Sequence, residues 1–240
     1  MFINKDNKLN TLKKWIENSN YTVIFTGAGM STESGIPDFR SKDGLWKGID
    51  PMRVACVDAL ITNYNLFYEF YKQRIENLEK SNPHKGYDIL SNWERKGLIS
   101  SVITQNVDGF HQRAGNKRVY PLHGSINTFR CSRCGQSASK DNFINKDSCI
   151  KCGGTLRPDV VLFGEALPQD ILNNAIKEIQ KSELVIVIGT SLMVYPVNSL
   201  PSMSKGKKVY INKEIYQQSF DLDLEGKAGE ILEAVNQQLN

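Results

Sequence analysis

Four apolar segments that each run into small polar residues constrain the fold of this 240-residue chain more than any other feature. Each segment is short, rich in β-branched residues and free of charge, which is typical of strands buried on both faces. Helical segments separate most of them, and this alternation predicts an α/β fold with a doubly wound, parallel, Rossmann-like sheet. The polar residues at the carboxyl ends would then meet in one cleft. The segments are residues 23–25, 102–103, 184–188 and 209–211.

Four of the five cysteines form two C-x-x-C-G turns, a spacing that predicts one zinc site. Each turn directs two thiolates at one point, and four sulfur ligands leave no open position, so the metal is expected to be structural. The alternatives are a redox dithiol and a nucleic-acid-binding ribbon. Cys56 stands apart and is expected to be a small buried residue. The predicted ligands are Cys131, Cys134, Cys149 and Cys152.

Two stretches break the alternation of strands and helices. Residues 37–84 have a helical pattern after an entry rich in glycine and proline, and residues 124–159 hold the paired cysteines. We expect these stretches to form a smaller inserted lobe, made of a helical segment and a zinc ribbon. The Rossmann-like domain would then comprise residues 1–36, 85–123 and 160–240.

Composition limits the partners of the chain. The 30 basic residues are interleaved with 26 acidic ones, for a formal net charge of +4, and this favours a solvated surface over a nucleic-acid-binding face. The first residues form no apolar signal segment, and the longest aliphatic run, residues 184–188, is far too short to span a bilayer. We therefore expect a cytoplasmic monomer with neither a membrane nor a specific nucleic-acid partner.

A glycine turn follows the first apolar segment, where Gly27 and Gly29 would let the backbone approach a pyrophosphate closely. The dinucleotide fingerprint is incomplete, because Thr32 occupies the place of its third glycine and Gly35 and Pro37 interrupt any following helix. Taken alone, these glycines are as consistent with a plain tight turn as with a nucleotide site.

Further motifs along the chain resemble one family in their identity and order. These motifs are GAGMSTESGIPDFR (27–40), TQNVD (104–108), LHG (122–124), the paired C-x-x-C turns, LRPDVVLFGE (156–165), GTSLMVYP (189–196) and IN (211–212). Together they resemble the sirtuins, the NAD-dependent protein lysine deacylases. The resemblance implies a Rossmann-type domain and a zinc-bearing small domain, with NAD+ and an acyl-lysine peptide bound in the cleft between them.

The resemblance also implies how NAD+ is held. Gln105, Val107 and Asp108 would surround the nicotinamide and its ribose, whereas the later motifs would contact phosphate and the adenosine half. The implied cofactor-binding residues are Gly27, Ala28, Gly29, Thr32, Asp38, Phe39, Arg40, Trp46, Gln105, Asn106, Val107, Asp108, Gly189, Thr190, Ser191, Asn212, Lys213, Glu214 and Ala228.

His123 matches the general base of the family. The acyl-lysine amide oxygen would attack the ribose anomeric carbon as nicotinamide leaves, and His123 would take a proton from a ribose hydroxyl. A neutral imidazole with a pKa near ~6.5 suits that step. Asn106 and Asp108 would position the ribose, the amide and waters. His84 and His111 are expected to have structural roles only.

Two further segments match the family's peptide site, where the substrate is added as a strand between them. Backbone pairing of that kind tolerates many sequences, so the acyl-lysine would define the substrate more than its flanks do. The implied substrate residues are Ala55, Tyr71, Arg74, Val161, Phe163, Gly164, Glu165 and Val194.

Tyr71 and Arg74 are three residues apart, so they share one face of a helix. Their Y-x-x-R spacing resembles the sirtuin subset that removes succinyl and malonyl groups, and Ala55 matches the small residue that widens the acyl pocket in that subset. No carboxylate lies three or four residues from Arg74, which leaves its guanidinium free to bind a carboxylate. In the alternative, Tyr71 packs in the core and Arg74 extends to water.

Rival functions use the same cleft. NAD+ cleavage without deacylation would make the protein a glycohydrolase or a mono-ADP-ribosyltransferase. A zinc-stabilised NAD-binding scaffold would bind NAD+ and release no nicotinamide. Asn106, Asp108 and His123 together argue against the scaffold.

Overall fold

The computed structural model describes residues 5–39, 41, 44–45, 47–215 and 219–239. The strands are β1 Thr22–Thr26, β2 Ser101–Thr104, β3 Val119–Pro121, β4 Gly124–Cys131, β5 Ser137–Ala138, β6 Leu156–Val160, β7 Leu184–Ile188, β8 Lys207–Asn212 and β9 Leu222–Glu225. The α-helices are α1 Lys5–Asn18, α2 Val57–Thr62, α3 Tyr64–Glu79, α4 Lys85–Arg95, α5 Phe110–Arg113, α6 Lys140–Ile144, α7 Gln169–Lys181 and α8 Ala228–Leu239. Short 3-10 helices cover Ala28–Ser34, Pro51–Arg53 and Val197–Met203.

Within these ranges, six strands form one parallel sheet in the order β3-β2-β1-β7-β8-β9. Numbered along the chain within this sheet alone, that is the order of dinucleotide-binding Rossmann sheets. The order reverses between β1 and β7, where Thr26 lies opposite Ile188. The predicted α/β class and doubly wound sheet are confirmed, and the reversal marks the edge at which such folds bind ligands.

Two strands of this sheet were absent from the sequence interpretation, which recognised four segments. β3 and β9 are three and four residues long and form the two edges of the sheet. β3 is only half-buried, and β9 alternates apolar and acidic residues. Neither contains the continuous apolar run that identifies a central strand.

Helices cover both faces of the sheet. On one face, α1 buries Leu9, Leu12 and Ile16, whose spacing of three and four residues places them on one side of the helix. The helices α4 and α8 join α1 in this layer. On the other face, α7 and the 3-10 helix Val197–Met203 close a second apolar cluster. The ligand edge is therefore the part of the sheet that remains open.

A second sheet among the described residues has three antiparallel strands in the order β5-β4-β6 and carries the four paired cysteines. Two phenols of helix α3 contact this region: Tyr64 donates to the carbonyl of Leu156 in β6 at 2.7 Å, and Tyr68 donates to that of Ile144 in α6 at 2.6 Å. The division into two lobes at the boundaries given above remains a prediction. None of the helices described has the length and apolar character needed to cross a membrane.

Candidate active site and metal centre

A cavity of about 1040 Å³ lies at the ligand edge of the parallel sheet. Its walls come from the segments that follow β1, β2, β7 and β8, together with α3 and the segment after β6. The predicted convergence of the strand ends is thus present. The volume is at the upper end of the range for small-molecule sites.

The floor of the cavity is a direct backbone contact between two strand ends. The N–H of Gly29 donates to the carbonyl of Gly189 at 2.7 Å. Gly189 has a φ of 61°, and a Cβ there would lie 2.2 Å from the backbone nitrogen of Met30. A Cβ on Gly29 would lie 2.8 Å from the Cα of Gly189. These glycines are therefore required by the packing of the two turns against each other.

A buried serine connects the polar groups behind the cavity. The hydroxyl of Ser31 donates to Asp108 Oδ2 at 2.7 Å, so the phenol of Tyr87, 2.8 Å away, must donate to Ser31 Oγ. The side-chain amide of Asn106 also donates to Ser31 Oγ, at 3.0 Å. Burial raises the pKa of Asp108, while hydrogen bonds from the Phe110 N–H and from Ser31 offset part of that rise.

The side-chain oxygen of Asn106 accepts no hydrogen bond from the described residues. Its Nδ2 donates to the carbonyl of Gly27 and to Ser31 Oγ, both at 3.0 Å, which uses both amide hydrogens. Its backbone N–H donates to Thr104 Oγ1 at 3.0 Å. Because Asn106 lines the cavity, its Oδ1 is the atom left to accept a hydrogen bond from a ligand.

His123 is held as a neutral base. It lies between β3 and β4, and its Nδ1 is 2.9 Å from the carbonyl of Gln105. A carbonyl only accepts, so Nδ1 carries the proton and Nε2 keeps its lone pair. Burial lowers the pKa of His123, with the hydrogen bond to Gln105 opposing it. A neutral imidazole with one free nitrogen at a cavity wall can act as a general base.

The guanidinium of Arg74 lies at the α3 side of the cavity. The guanidinium carbon of Arg74 is 5.6 Å from the ring centre of Phe39, 5.5 Å from that of Phe70 and 5.6 Å from that of Tyr71. In the described part of the chain, no carboxylate forms an ion pair with it. Burial lowers the pKa of Arg74, although Tyr71 and Asp108 favour its charged form.

Arg74 is half-buried, and it lines the cavity together with Tyr71 and Ala55. The cavity therefore gives a ligand access to this side chain. Burial raises the pKa of Tyr71, so its phenol stays protonated and can donate a hydrogen bond.

The segment after β6 is fastened on both sides. The N–H of Phe163 donates to the carbonyl of Ala55 at 3.0 Å, and the N–H of Val57 donates to the carbonyl of Phe163 at 3.1 Å. Glu165 accepts two hydrogen bonds from the buried Arg157, at 2.6 and 3.0 Å. This bidentate ion pair holds the loop in one conformation.

The four paired cysteines form one cluster, with all four Sγ atoms within 4.8 Å of one another. Sγ of Cys131 and Cys152 are 3.5 Å apart, and those of Cys134 and Cys149 are 3.7 Å apart. Thiolates bound tetrahedrally at about 2.3 Å from zinc would be separated by about 3.8 Å. The residues fit a structural zinc ion that stabilises the ribbon.

Comparison with known proteins gives the family. The model of the Sir2 family matches residues 27–196, which is more than half of the chain. The chain belongs to the Sir2 family. An NAD-dependent protein deacetylase of Oceanobacillus iheyensis is 44% identical over 232 residues, covering 94% of this chain and 98% of that protein. An NAD-dependent protein deacylase of Aeropyrum pernix is 42% identical over 231 residues, covering 92% and 93%.

Solved Sir2 structures are similar over 96% of this chain. A Sir2 complex with deacetylated p53 peptide and 3'-O-acetyl ADP ribose has a TM-score of 0.91 at 35% identity, covering 96% of this chain and 98% of that one. A Sir2 homologue bound to NAD has a TM-score of 0.89 at 39% identity, covering 96% and 93%. The peptide, the 3'-O-acetyl ADP ribose and the NAD are ligands of those proteins.

Most site residues predicted for this Sir2-family chain line the cavity. Gly27 and Asp108 do not: Gly27 precedes the 3-10 helix and packs closely against Thr190, and Asp108 is buried and accepts a hydrogen bond from Ser31. Arg40 and Trp46 lie outside the described residues. The residues that line the cavity are Ala28, Gly29, Thr32, Asp38, Phe39, Ala55, Tyr71, Arg74, Gln105, Asn106, Val107, His123, Val161, Phe163, Gly164, Glu165, Gly189, Thr190, Ser191, Val194, Asn212, Lys213, Glu214 and Ala228.

Sequence reasoning missed Ser31 and Tyr87. Ser31 lies inside the glycine turn among other small polar residues, and its burial and its hydrogen bonds became evident only in the structure. Tyr87 is separated from Ser31 by 56 residues, and no local pattern announces their contact. The other two histidines lie outside the cavity lining: His84 caps α4 and His111 is buried in α5.

Proposed function

We propose that this Sir2-family chain uses NAD+ to remove acyl groups from protein lysine side chains, and that succinyl and malonyl groups are substrates in addition to acetyl. NAD-dependent deacylation follows from family membership and from relatives named for that activity. The extension to acidic acyl groups rests on one observation: the guanidinium of Arg74 faces the same cavity as His123 and has no described carboxylate partner.

His123 supplies the base in the proposed reaction. The lysine amide oxygen bonds to the ribose anomeric carbon, and the bond from that carbon to nicotinamide breaks. Nε2 of His123 accepts a proton from a ribose hydroxyl, and its Nδ1–H stays bonded to Gln105. Asn106 Oδ1 accepts from the ribose or from a water. Asp108 acts from behind by holding Ser31. The deprotonated ribose oxygen then attacks the acyl carbon, the bond from that carbon to the lysine nitrogen breaks, and water adds to the carbon as its bond to the anomeric oxygen breaks. The products are nicotinamide, the deacylated lysine and O-acyl-ADP-ribose.

The acyl pocket would select by charge. Arg74 offers a planar fork of donors that matches a carboxylate, and the protonated phenol of Tyr71 adds one donor. Stacking on three rings restricts the guanidinium before any ligand binds, which lowers the entropy cost of forming the pair. Ala55 leaves the width that a longer acyl chain needs.

The test compares acetyl-, malonyl- and succinyl-lysine peptides of one sequence in wild type, Arg74→Ala and Arg74→Lys. Loss of a charge-assisted pair worth about 1.5–3 kcal/mol lowers kcat/KM for the succinyl peptide by roughly 10- to 150-fold in Arg74→Ala. The acetyl peptide serves as the internal control, and its rate stays within a few-fold. Arg74→Lys keeps the positive charge but lacks the planar pair of donors, so kcat/KM for the succinyl peptide falls less than in Arg74→Ala. An unchanged succinyl rate in Arg74→Ala refutes the carboxylate site.

Product mass separates the proposal from its rivals. O-acyl-ADP-ribose is expected with every acyl peptide. Free ADP-ribose without loss of the acyl group indicates a glycohydrolase, and a labelled protein indicates a mono-ADP-ribosyltransferase. NAD+ binding without nicotinamide release indicates a scaffold. A monomeric state, a cytoplasmic location and the two-lobe boundaries remain predictions.

A further inference from the structure

A buried hydrogen-bond chain leads from α5 to the backbone of Asn106. Nε2 of His111 is 3.0 Å from Thr26 Oγ1. The Thr26 hydroxyl donates to Thr104 Oγ1 at 2.8 Å, and Thr104 Oγ1 accepts from the N–H of Asn106 at 3.0 Å. The two threonines are the last residues of β1 and β2 and lie opposite each other in register. The chain therefore crosses the strand ends that lead into the glycine turn and into Asn106.

The donor and acceptor roles along this hydrogen-bond chain define the tautomer of His111. The Thr26 hydroxyl has one hydrogen, which it donates to Thr104. Nε2 of His111 must therefore be the donor to Thr26, and the ring is the neutral Nε2–H form. Burial lowers the pKa of His111 to about 3, with His84 adding to the effect and Asn116 opposing it. The ring keeps this form throughout the neutral range.

Packing alone does not explain an imidazole at this position. His111 is buried, and its Nδ1 makes no hydrogen bond of normal geometry among the described residues, although a side-chain interaction with Asn116 raises the pKa of the ring. An unsatisfied polar atom makes the ring costlier to bury than a hydrocarbon ring of similar size. The edge contact with Tyr87, at 4.7 Å between ring centres, would be equally available to phenylalanine. The bond to Thr26 is what the imidazole adds.

We propose that His111 is a positioning residue for Asn106, acting through Thr26 and Thr104. The proposal rests on the proposed deacylation, because it assigns His111 to the same site. Asn106 presents Oδ1 to the cavity while its Nδ2 holds Gly27 and Ser31. Its backbone anchor is Thr104, and Thr104 is held by Thr26 and His111. The chain aligns Asn106 for the step in which nicotinamide leaves, and it does not contact the acyl pocket.

The test uses His111→Phe, which keeps the shape and removes the donor, and His111→Gln, whose amide donor reaches a position close to Nε2. In His111→Phe, kcat at saturating NAD+ and peptide falls about tenfold, the effect of one ordinary hydrogen bond. The KM for the peptide stays within about twofold, since the acyl pocket is untouched. His111→Gln recovers most of kcat. Melting temperature is measured for each variant.

Variants at Thr26 provide a second test, which stands alone if His111→Phe does not fold and completes a double-mutant cycle if it does. Thr26→Val breaks the chain at its next member with a side chain of equal shape, and Thr26→Ser keeps the hydroxyl. Thr26→Val is expected to lower kcat as His111→Phe does, and the double variant is no worse than either single one, because both break one chain. Thr26→Ser retains activity.

Three outcomes overturn the inference. A folded His111→Phe with wild-type kcat and a lower melting temperature makes the residue structural only. Equal losses of kcat in folded His111→Gln and His111→Phe exclude a role for the Nε2 donor. If the losses of kcat from the His111 and Thr26 substitutions multiply in the double variant, the two residues act independently and the hydrogen-bond chain is excluded. Failure of the proposed function differs from all of these, since wild type itself would then release no nicotinamide with any acyl peptide.

Discussion

Replacing Ser31 by alanine removes the hydroxyl that is hydrogen-bonded to Tyr87, Asn106 and Asp108. The side chain is almost fully buried, so alanine fills the site without a large cavity and no water replaces the lost atom. Asp108 loses a donor at 2.7 Å, and both Asn106 and Tyr87 lose an acceptor, at 3.0 and 2.8 Å. The expected phenotype is weaker catalysis together with a changed pH profile.

The magnitude follows from the carboxylate. A hydrogen bond to a charged, buried group is worth about 1.5–3 kcal/mol, which corresponds to a loss of roughly 10- to 150-fold in kcat/KM for NAD+ at neutral pH. The Ser31 bond is one of the interactions that lower the pKa of Asp108. Its removal raises that pKa further, so the acid limb of the profile moves to higher pH.

The assay is nicotinamide release with an acetyl-lysine peptide, measured across the pH range for wild type and Ser31→Ala. Ser34→Ala is the matched control, because Ser34 lies in the same 3-10 helix and its hydroxyl accepts only from the His84 N–H among the described residues. Its rate and acid limb are expected to match wild type. A Ser31→Ala enzyme within twofold of wild type and with an unmoved acid limb would refute the role assigned to Ser31.

Three further predictions concern stability. In Gly189→Ala the new Cβ clashes with the backbone nitrogen of Met30 at a residue whose φ is positive, so the free energy of unfolding in urea titrations falls by about 1–3 kcal/mol or more. Gly97→Ala is the control: Gly97 also has a positive φ but no atom near its Cβ position, so its free energy of unfolding falls less. Removal of zinc by a chelator releases one ion per chain and lowers the melting temperature, and an unchanged melting temperature after complete removal contradicts a structural site. The free energy of unfolding decreases by up to about 1.4 kcal/mol per pH unit as the pH drops from about 6.5 to about 3. In this range His111 is protonated in the unfolded chain and remains neutral in the folded protein. His111→Gln flattens that slope, and an equal slope in the variant contradicts it.

Local pattern was sufficient for the centre of the fold and insufficient for its edges. β1 and β7 are buried along their whole length, so an apolar run is itself the signal. β3 contains Pro121 and β9 contains Asp223, and both become strands by pairing with β2 and β8. Such pairing depends on contacts between distant segments, which no short window contains.

The same distinction holds for the site. The zinc cluster was predictable because each turn supplies two ligands within four residues. The contact between Ser31 and Tyr87, and that between Arg74 and Phe39, form only after separate helices and turns have packed together. The tautomer of His123 likewise depends on the carbonyl of Gln105, to which the fold brings it.

The two backbone hydrogen bonds between Phe163 and residues 55–57 have a consequence for substrate selection. Because the segment proposed to bind the peptide and the wall proposed to border its acyl group share two backbone hydrogen bonds, they move together. In the proposed function, the register of the peptide and the depth of the acyl pocket therefore cannot vary independently. The distance from the peptide backbone to the end of the acyl pocket is then the same for every substrate lysine. Acyl groups are selected by how the end of the group interacts with Tyr71 and Arg74.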